Sequence, residues 1–232
     1  MALIRFSAGI GDIRGSIGGT TFSKNRYGNY ARGRITPVNP NSSAQQAVRN
    51  DMGSVVSLWF SALSATQRAA WGVYAAGINF TNKLGESITL TGFNHFVRTN
   101  IARKSNGMTV VTTAPVELTL PPTDSEFDIA VSESSQLMTI TFDDAAAWCS
   151  QDSAYMSIHQ GMCQNSARMF FGGHFRRIGN ILGSSASPVT SPQTVALTFP
   201  AAVTQKDWAF GRVQRADGRL SEKFRNDCIV GA

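Results

Sequence analysis

Leu137-Met138-Thr139-Ile140-Thr141-Phe142 sets Met138, Ile140 and Phe142 against Leu137, Thr139 and Thr141. Successive side chains of a strand point to opposite faces, so this alternation predicts a strand with one face turned to a core. The same reading extends outward to Phe127–Val131, Ala154–His159, Arg168–Ile178, Thr194–Phe199, Trp208–Gln214 and Phe224–Val230. Ala216-Asp217-Gly218-Arg219 supplies an Asp-Gly hairpin turn between the last two. Thr113-Ala114-Pro115 and Pro121-Pro122 mark where this pattern begins.

Seven short strands with no helix-length apolar pattern between them predict an immunoglobulin- or fibronectin-III-like β-sandwich over residues 108–232. An α/β enzyme domain would alternate strands with helices. Upstream, over residues 41–107, the period changes to that of helices. Asn41 or Ser42 is the expected N-cap of a first helix. Its apolar stripe is Ala44, Val48, Met52, Val55, Val56, Trp59 and Leu63, at three- and four-residue steps. Ser64-Ala65-Thr66-Gln67 has the capping-box pattern and starts a second helix through Trp71 and Tyr74 to Gly77. Trp59, Phe60, Trp71 and Tyr74 are expected to form an aromatic cluster. After a short strand at Ser87–Leu90, Thr91 caps a third helix, Gly92 to Ser105. Phe93, Phe96, Val97 and Ile101 share one face of it, and Arg98, Arg103 and Lys104 lie toward its negative end.

Residues 1–40 read as an extended basic arm or β-hairpin. Gly9, Gly11, Gly15, Gly18, Gly19, Gly28 and Gly33 exclude a helix, since each costs about 1 kcal/mol there. Ser16–Ser23 and Tyr30–Ile35 are strand-like, with turn residues Lys24 to Asn29 between them. The apolar residues are too few for a core, so the segment must lie on another part of this chain or on a neighbour. The expected fold class is therefore α+β: an N-terminal extended arm or hairpin, three helices, and a C-terminal β-sandwich.

Of the 232 residues 16% are charged, below the roughly 25% of an average soluble protein. The charge is unevenly divided. Residues 1–107 hold 12 Lys and Arg against 3 acids, and residues 108–232 hold 9 against 12, so +9 and −3 add to the net +6. Two surfaces with different partners follow. The start lacks the apolar core of a secretory signal, and no apolar run is long enough to span a membrane. Cys149, Cys163 and Cys228 are an odd set at no metal-ligand spacing, as expected of reduced thiols in a β core. His95, His159 and His174 are not paired with other ligands at metal spacing, so no metal site is expected. No nucleophile elbow or phosphate-binding loop occurs. Glu126, Asp128, Asp143, Asp144 and Asp152 sit in turns and at strand edges, as solvated loop acids do. No catalytic residue and no cofactor is expected, and the chain reads as a non-enzyme.

The dense feature is Lys24-Asn25-Arg26-Tyr27-Gly28-Asn29-Tyr30-Ala31-Arg32-Gly33-Arg34. Cations interleaved with aromatics suit a nucleic-acid arm, with phosphates neutralised and bases stacked on tyrosine. They equally suit a strand laid on an acidic protein surface, where arginine is preferred for its bidentate fork. The favoured reading is a protein interface built from Lys24, Arg26, Tyr27, Tyr30, Arg32 and Arg34, with nucleic acid as the alternative.

The run Gly18 to Arg34, followed by Pro37-Val38-Asn39-Pro40-Asn41-Ser42 and Gln45-Gln46-Ala47-Val48-Arg49, resembles a family of uncharacterised proteins of tailed phages and prophages. The likeness continues through Leu63 to Trp71 and Thr91-Gly92-Phe93, and covers roughly residues 10–105. The resemblance implies a virion structural protein, made in the host cytoplasm and carried in the particle. Within that reading, a head decoration or minor capsid (cement) protein is expected to attach through its basic half, with the β-sandwich projecting. Its partners would be the major capsid protein or other virion proteins, and further copies of itself. A tail or head–tail junction component is the alternative. DNA binding by the arm, and carbohydrate binding by the β domain through Trp148 or Trp208, are further readings.

Overall fold

The computed structural model describes residues 2–4, 9–10, 12–25, 28–36, 38–81 and 87–232. The chain forms two compact units, Met1–Gln46 and Ala47–Ala232.

The first unit is a four-stranded antiparallel sheet of β1 (Ala2–Ile4), β2 (Gly15–Ile17), β3 (Thr20–Asn25) and β4 (Gly28–Gly33), in the order β1-β4-β3-β2. The expected hairpin is present, with Asn25 opposite Gly28. Ser16–Ser23 is not the single strand its sequence suggested. Gly18 adopts a φ of 56°, and the Gly18-Gly19 turn folds β2 back on β3, with Ile17 opposite Thr20. A β-branched residue would be strained there, which is why the glycine pair divides the run.

The second unit begins within α1 (Ser43–Ser61). Ser42 is its N-cap: the Gln45 amide donates to Ser42 Oγ and the Ser42 amide donates to Gln45 Oε1. The same reciprocal pair, Ser64 with Gln67, opens α2 (Ala65–Gly77). Thr91 Oγ1 accepts from the Asn94 amide at the start of α3 (Gly92–Ser105). Between α2 and α3, β5 (Asn79–Thr81) pairs with β6 (Ser87–Thr89). Val55, Leu63, Trp71, Tyr74, Ile78 and Phe96 are the buried heart of this region. Trp71 meets Tyr74 and Phe96 edge-on at 5.8 and 5.5 Å, and Trp59 meets Phe96 at 5.3 Å. The expected aromatic cluster therefore forms around Phe96. Its Phe60 member stays 70% exposed, touching only Phe93 among the described aromatic rings. The apolar stripe of α1 is also only partly used. Val55 and Leu63 are buried, but Val48 and Met52 are 64% and 43% exposed, because Trp71, Phe93 and Phe96 reach only the C-terminal part of the helix.

Two further antiparallel sheets carry the β part. One has the order β12-β8-β7, from β7 (Asp128–Ser132), β8 (Leu137–Thr141) and β12 (Gln193–Ala196). The other has β10 (Gln164–Asn165), β13 (Gln205–Gln214), β9 (Tyr155–Gln160) and β11 (Arg176–Leu182) in that order, with β14 (Phe224–Ile229) also paired to β13. Ile129, Met138, Ile140, Met156, Ile158, Ile181, Ala209 and Val213, drawn from both sheets, share one buried core. The β part is thus sandwich-like, and the alternation of Leu137–Phe142 sends Met138, Ile140 and Phe142 inward. Cys149 is buried in this core, Cys163 and Cys228 pack against it, and all three are free thiols.

The expected strand Arg168–Ile178 is corrected. Pairing starts only at Arg176, and the preceding residues form a loop. Its aromatic residues misled the reading. Phe171 stacks on Trp208 at 5.7 Å and meets Phe175 edge-on at 5.3 Å, so they pack a loop across the sheet instead of alternating along a strand.

Helices α2 and α3 are in tight backbone contact at Gly92. A Cβ there would lie 2.7 Å from the Gly72 amide nitrogen and 2.8 Å from the Trp71 carbonyl carbon. Those atoms are backbone and cannot swing aside. Gly92→Ala is therefore expected to destabilise the second unit by about 1–3 kcal/mol, read as a lowered urea midpoint at unchanged slope. An unchanged midpoint would mean that the crossing relaxes freely.

Candidate interaction surface

Register decides which of the candidate side chains share a face. Ser23 pairs with Tyr30 and Thr21 with Arg32, so Tyr30 and Arg32 lie on one face with Ser16, Thr21 and Ser23. Lys24 pairs with Asn29 and lies on the other, with Ile17, Phe22 and Ala31. Directly opposite residues of an antiparallel pair point the same way, so the interleaved cations of the sequence are divided between two faces. Arg34 follows β4, and its amide donates to Gly19 O at 2.7 Å. Arg32, Arg34, Thr21 and Ile35 line a shallow cavity of about 330 Å³. Arg26 and Tyr27 lie outside the described residues.

The two faces differ in chemistry. The Tyr30–Arg32 face, on which register also places Leu3, is mainly polar, with Ser16 Oγ and Thr21 Oγ1 hydrogen-bonded at 2.8 Å. The other face is more apolar, and Ile17 is 71% exposed on it. Lys24, Arg32 and Arg34 are exposed, and Tyr30 is half-buried. None of these three cations forms an ion pair among the described residues. Arg14 is instead paired with Asp12 at 3.0 Å. Among the residues of the first unit whose burial is described, none is buried. Side chains in that state gain little from apolar burial.

Four acids of the β part accept hydrogen bonds from the backbone. Asp124 accepts from the Asp143 amide at 3.1 Å, Asp143 from the Ala145 amide at 2.9 Å, and Asp144 from the Ser191 amide at 3.1 Å. Asp152 accepts from the Ser185 amide and hydroxyl, which holds its carboxyl below the usual range. Trp148 and Trp208 are both buried, at 3% and 2% exposure, so neither offers its face to a sugar ring. Among the described residues no three His, Cys, Asp or Glu side chains come together as metal ligands, and no helix is long and apolar enough to cross a membrane.

No family model matches the chain, and no curated protein does. Among solved structures it is similar to the fibronectin type-III domain of human fibronectin type III domain containing protein 3. The identity is 9%, the match covers 49% of this chain and 90% of that domain, and the TM-score is 0.29.

A second set of cations was missed by sequence reasoning. Arg177, Arg212 and Lys223 line one concavity with His159 on the outer face of the larger sheet. A signal was present. Period-two alternation assigns Arg212 to the face opposite Val213 and Ala209, and a cation in the middle of an apolar strand needs a reason.

Limited trypsin digestion of the free chain is expected to cut first after Lys24, Arg32 or Arg34 and to leave residues 47–232 intact. Mass spectrometry of the earliest fragments checks this. First cuts at Arg176 or Arg225 would mean that the sheet is the better protected part.

Proposed function

We propose that this chain is a structural component of a tailed-phage particle. More narrowly, it is a head decoration or minor capsid protein that attaches through its N-terminal sheet to the major capsid protein or a neighbouring copy. The observation that carries the reading is a four-stranded sheet in which no residue of described burial is buried, with Arg32 on one face and Lys24 on the other forming no ion pair among the described residues, and with Ile17 exposed on the face that carries Lys24. Such a surface stays unfinished until another protein covers it. Arginine, tyrosine and apolar side chains together are the mixture that protein interfaces favour. A DNA-binding surface needs the cations but has no use for the isoleucine. The resemblance of residues 10–105 to tailed-phage proteins supplies the setting.

The sandwich completes the proposal as an immunoglobulin-like projecting module of fibronectin-III type. Setting aside the two-residue β10, the first, second and fifth strands form one sheet, and the third, fourth, sixth and seventh form the other. In an immunoglobulin constant-type sandwich the fourth strand lies with the first, second and fifth. Here it lies with the third, which favours the fibronectin-III variant.

The chain is expected in density-purified particles at fixed stoichiometry, measured by quantitative mass spectrometry. Hundreds of copies indicate head decoration, and about 6–12 indicate a tail or junction ring. Absence from particles overturns the proposal. Arg32→Ala with Arg34→Ala is expected to reduce incorporation while residues 47–232 stay folded, since a buried pair that loses one partner costs about 3–5 kcal/mol. Attachment should weaken only modestly with salt. Salt-steep binding to duplex DNA, with log K falling by about 0.9 per phosphate contact, together with normal incorporation of the double variant, would favour a genome contact instead.

A further inference from the structure

The outer face of the sheet that holds β9 and β13 is only partly covered. Met156 and Ile158 on β9, and Ala209 and Val213 on β13, point into the core. Their neighbours Tyr155, Ser157 and His159, and Phe210, Arg212 and Gln214, therefore point outward in register. The last turns of α3 cover one end of this face, where Asn106 Nδ2 donates to the Tyr155 hydroxyl at 3.0 Å. Phe175 covers the other, edge-on to Phe210 at 5.1 Å. Between them lies a cavity of about 190 Å³.

Three cations from three elements converge on it: Arg177 from β11, Arg212 from β13 and Lys223 from the turn before β14. None forms an ion pair among the described residues. Arg212 Nε donates to Ser221 O at 2.9 Å, and Lys223 Nζ lies 4.7 Å from the Phe210 ring centroid. With the Asn180 amide oriented to satisfy its neighbours, Arg177 Nη1 donates to it at 3.3 Å. Glu222 is exposed and acts on Arg212 only through space. His159 stacks on Phe210 at 4.3 Å and 9°. Burial, then Lys223, Arg177 and Arg212, push it down to about 4, so it stays neutral at pH 7. Burial, then Arg98, push the Arg212 guanidinium down to about 10. A group of like charges in a half-buried groove is unfavourable without a counter-charge.

We propose that this groove binds a phosphoryl group, held by Arg177, Arg212 and Lys223 with the His159 imidazole beside it. The match is one of geometry as well as sign. A tetrahedral oxyanion presents oxygens in several directions, and here donors arrive from three separate elements. A planar carboxylate is satisfied by a single arginine fork. The volume also favours a group over a whole ligand, since drug-sized molecules occupy cavities of about 300–1,000 Å³. Free phosphate and a phosphoryl group carried on a larger ligand present the same chemistry inside the groove.

The test uses the full chain and follows the His159 ring by NMR while inorganic phosphate, phenyl phosphate or acetate is titrated at constant ionic strength. Phosphate is expected to raise the His159 pKa, because an anion offsets the three cations that depress it. Arg177→Ala and Lys223→Ala remove exposed side chains and should fold normally. Each is expected to weaken phosphate binding by about tenfold or more. Phenyl phosphate binding more tightly than inorganic phosphate supports a phosphoryl group carried on a larger ligand, and equal binding supports free phosphate. Acetate binding as well as phosphate does, or a His159 pKa that phosphate leaves unmoved, would overturn the proposal. So would unchanged phosphate affinity in both variants.

Discussion

The seam between α3 and the β part is made of polar groups that water does not reach, and each must find its partner inside the protein. Thr99, Asn100, Arg103 and Gln214 are all buried there. Arg103 donates from Nε to Thr109 O at 2.6 Å and from Nη1 to Arg215 O at 3.2 Å. Asn100 exchanges two hydrogen bonds with Val111, and Gln214 Nε2 donates to Thr99 O at 3.0 Å. Leaving any one of these groups unmet costs about 1–3 kcal/mol. A slip of α3 along the sheet would break several at once, so the helix has one position. That position builds a wall of the cationic groove. It also carries Phe96 to the centre of the helical core, where Trp71 meets it and donates from Nε1 to Thr112 O.

Local signals in the sequence were dependable where the physics is local. Ser42, Ser64 and Thr91 cap helices because a side-chain oxygen two or three residues away satisfies an amide that the helix leaves free. Leu137–Phe142 alternates because one face of a strand is buried. The face of α3 shows the limit. The sequence assigned only Phe93, Phe96, Val97 and Ile101 to a packed face, yet His95, Thr99, Asn100 and Arg103 are buried too, because the carbonyls of Thr109, Val111 and Arg215 accept from Arg103 and Asn100 while Tyr74 and Phe80 pack on His95. Arg168–Ile178 failed for a related reason. Aromatic residues that pack a loop look the same, in one dimension, as those that line a strand.

The candidate surfaces differ in the same way. Lys24, Tyr30, Arg32 and Arg34 were visible as a dense run, but their division between two faces needed the register of β3 and β4. Arg177, Arg212 and Lys223 are spread along the chain and meet only because β11, β13 and the turn before β14 are neighbours in space. No spacing rule joins them. The buried Asp207 is comparable. It accepts from Gln160 Nε2 at 2.8 Å and from the Trp208 amide at 2.8 Å, and burial pushes its carboxyl up to about 6. Nothing in its neighbourhood along the chain marks it as an interior acid.

Among the described residues, the N-terminal sheet ends on both sides in strands of three residues, β1 and β2. The outer strand of a sheet offers unpaired amides and carbonyls, and a long flat one invites the same strand of another copy to add to it. Three residues give such an addition few hydrogen bonds, and Gly15 takes one of β2's three places with no side chain to pack. Edges this short guard the free chain against polymerising edge to edge with its own copies.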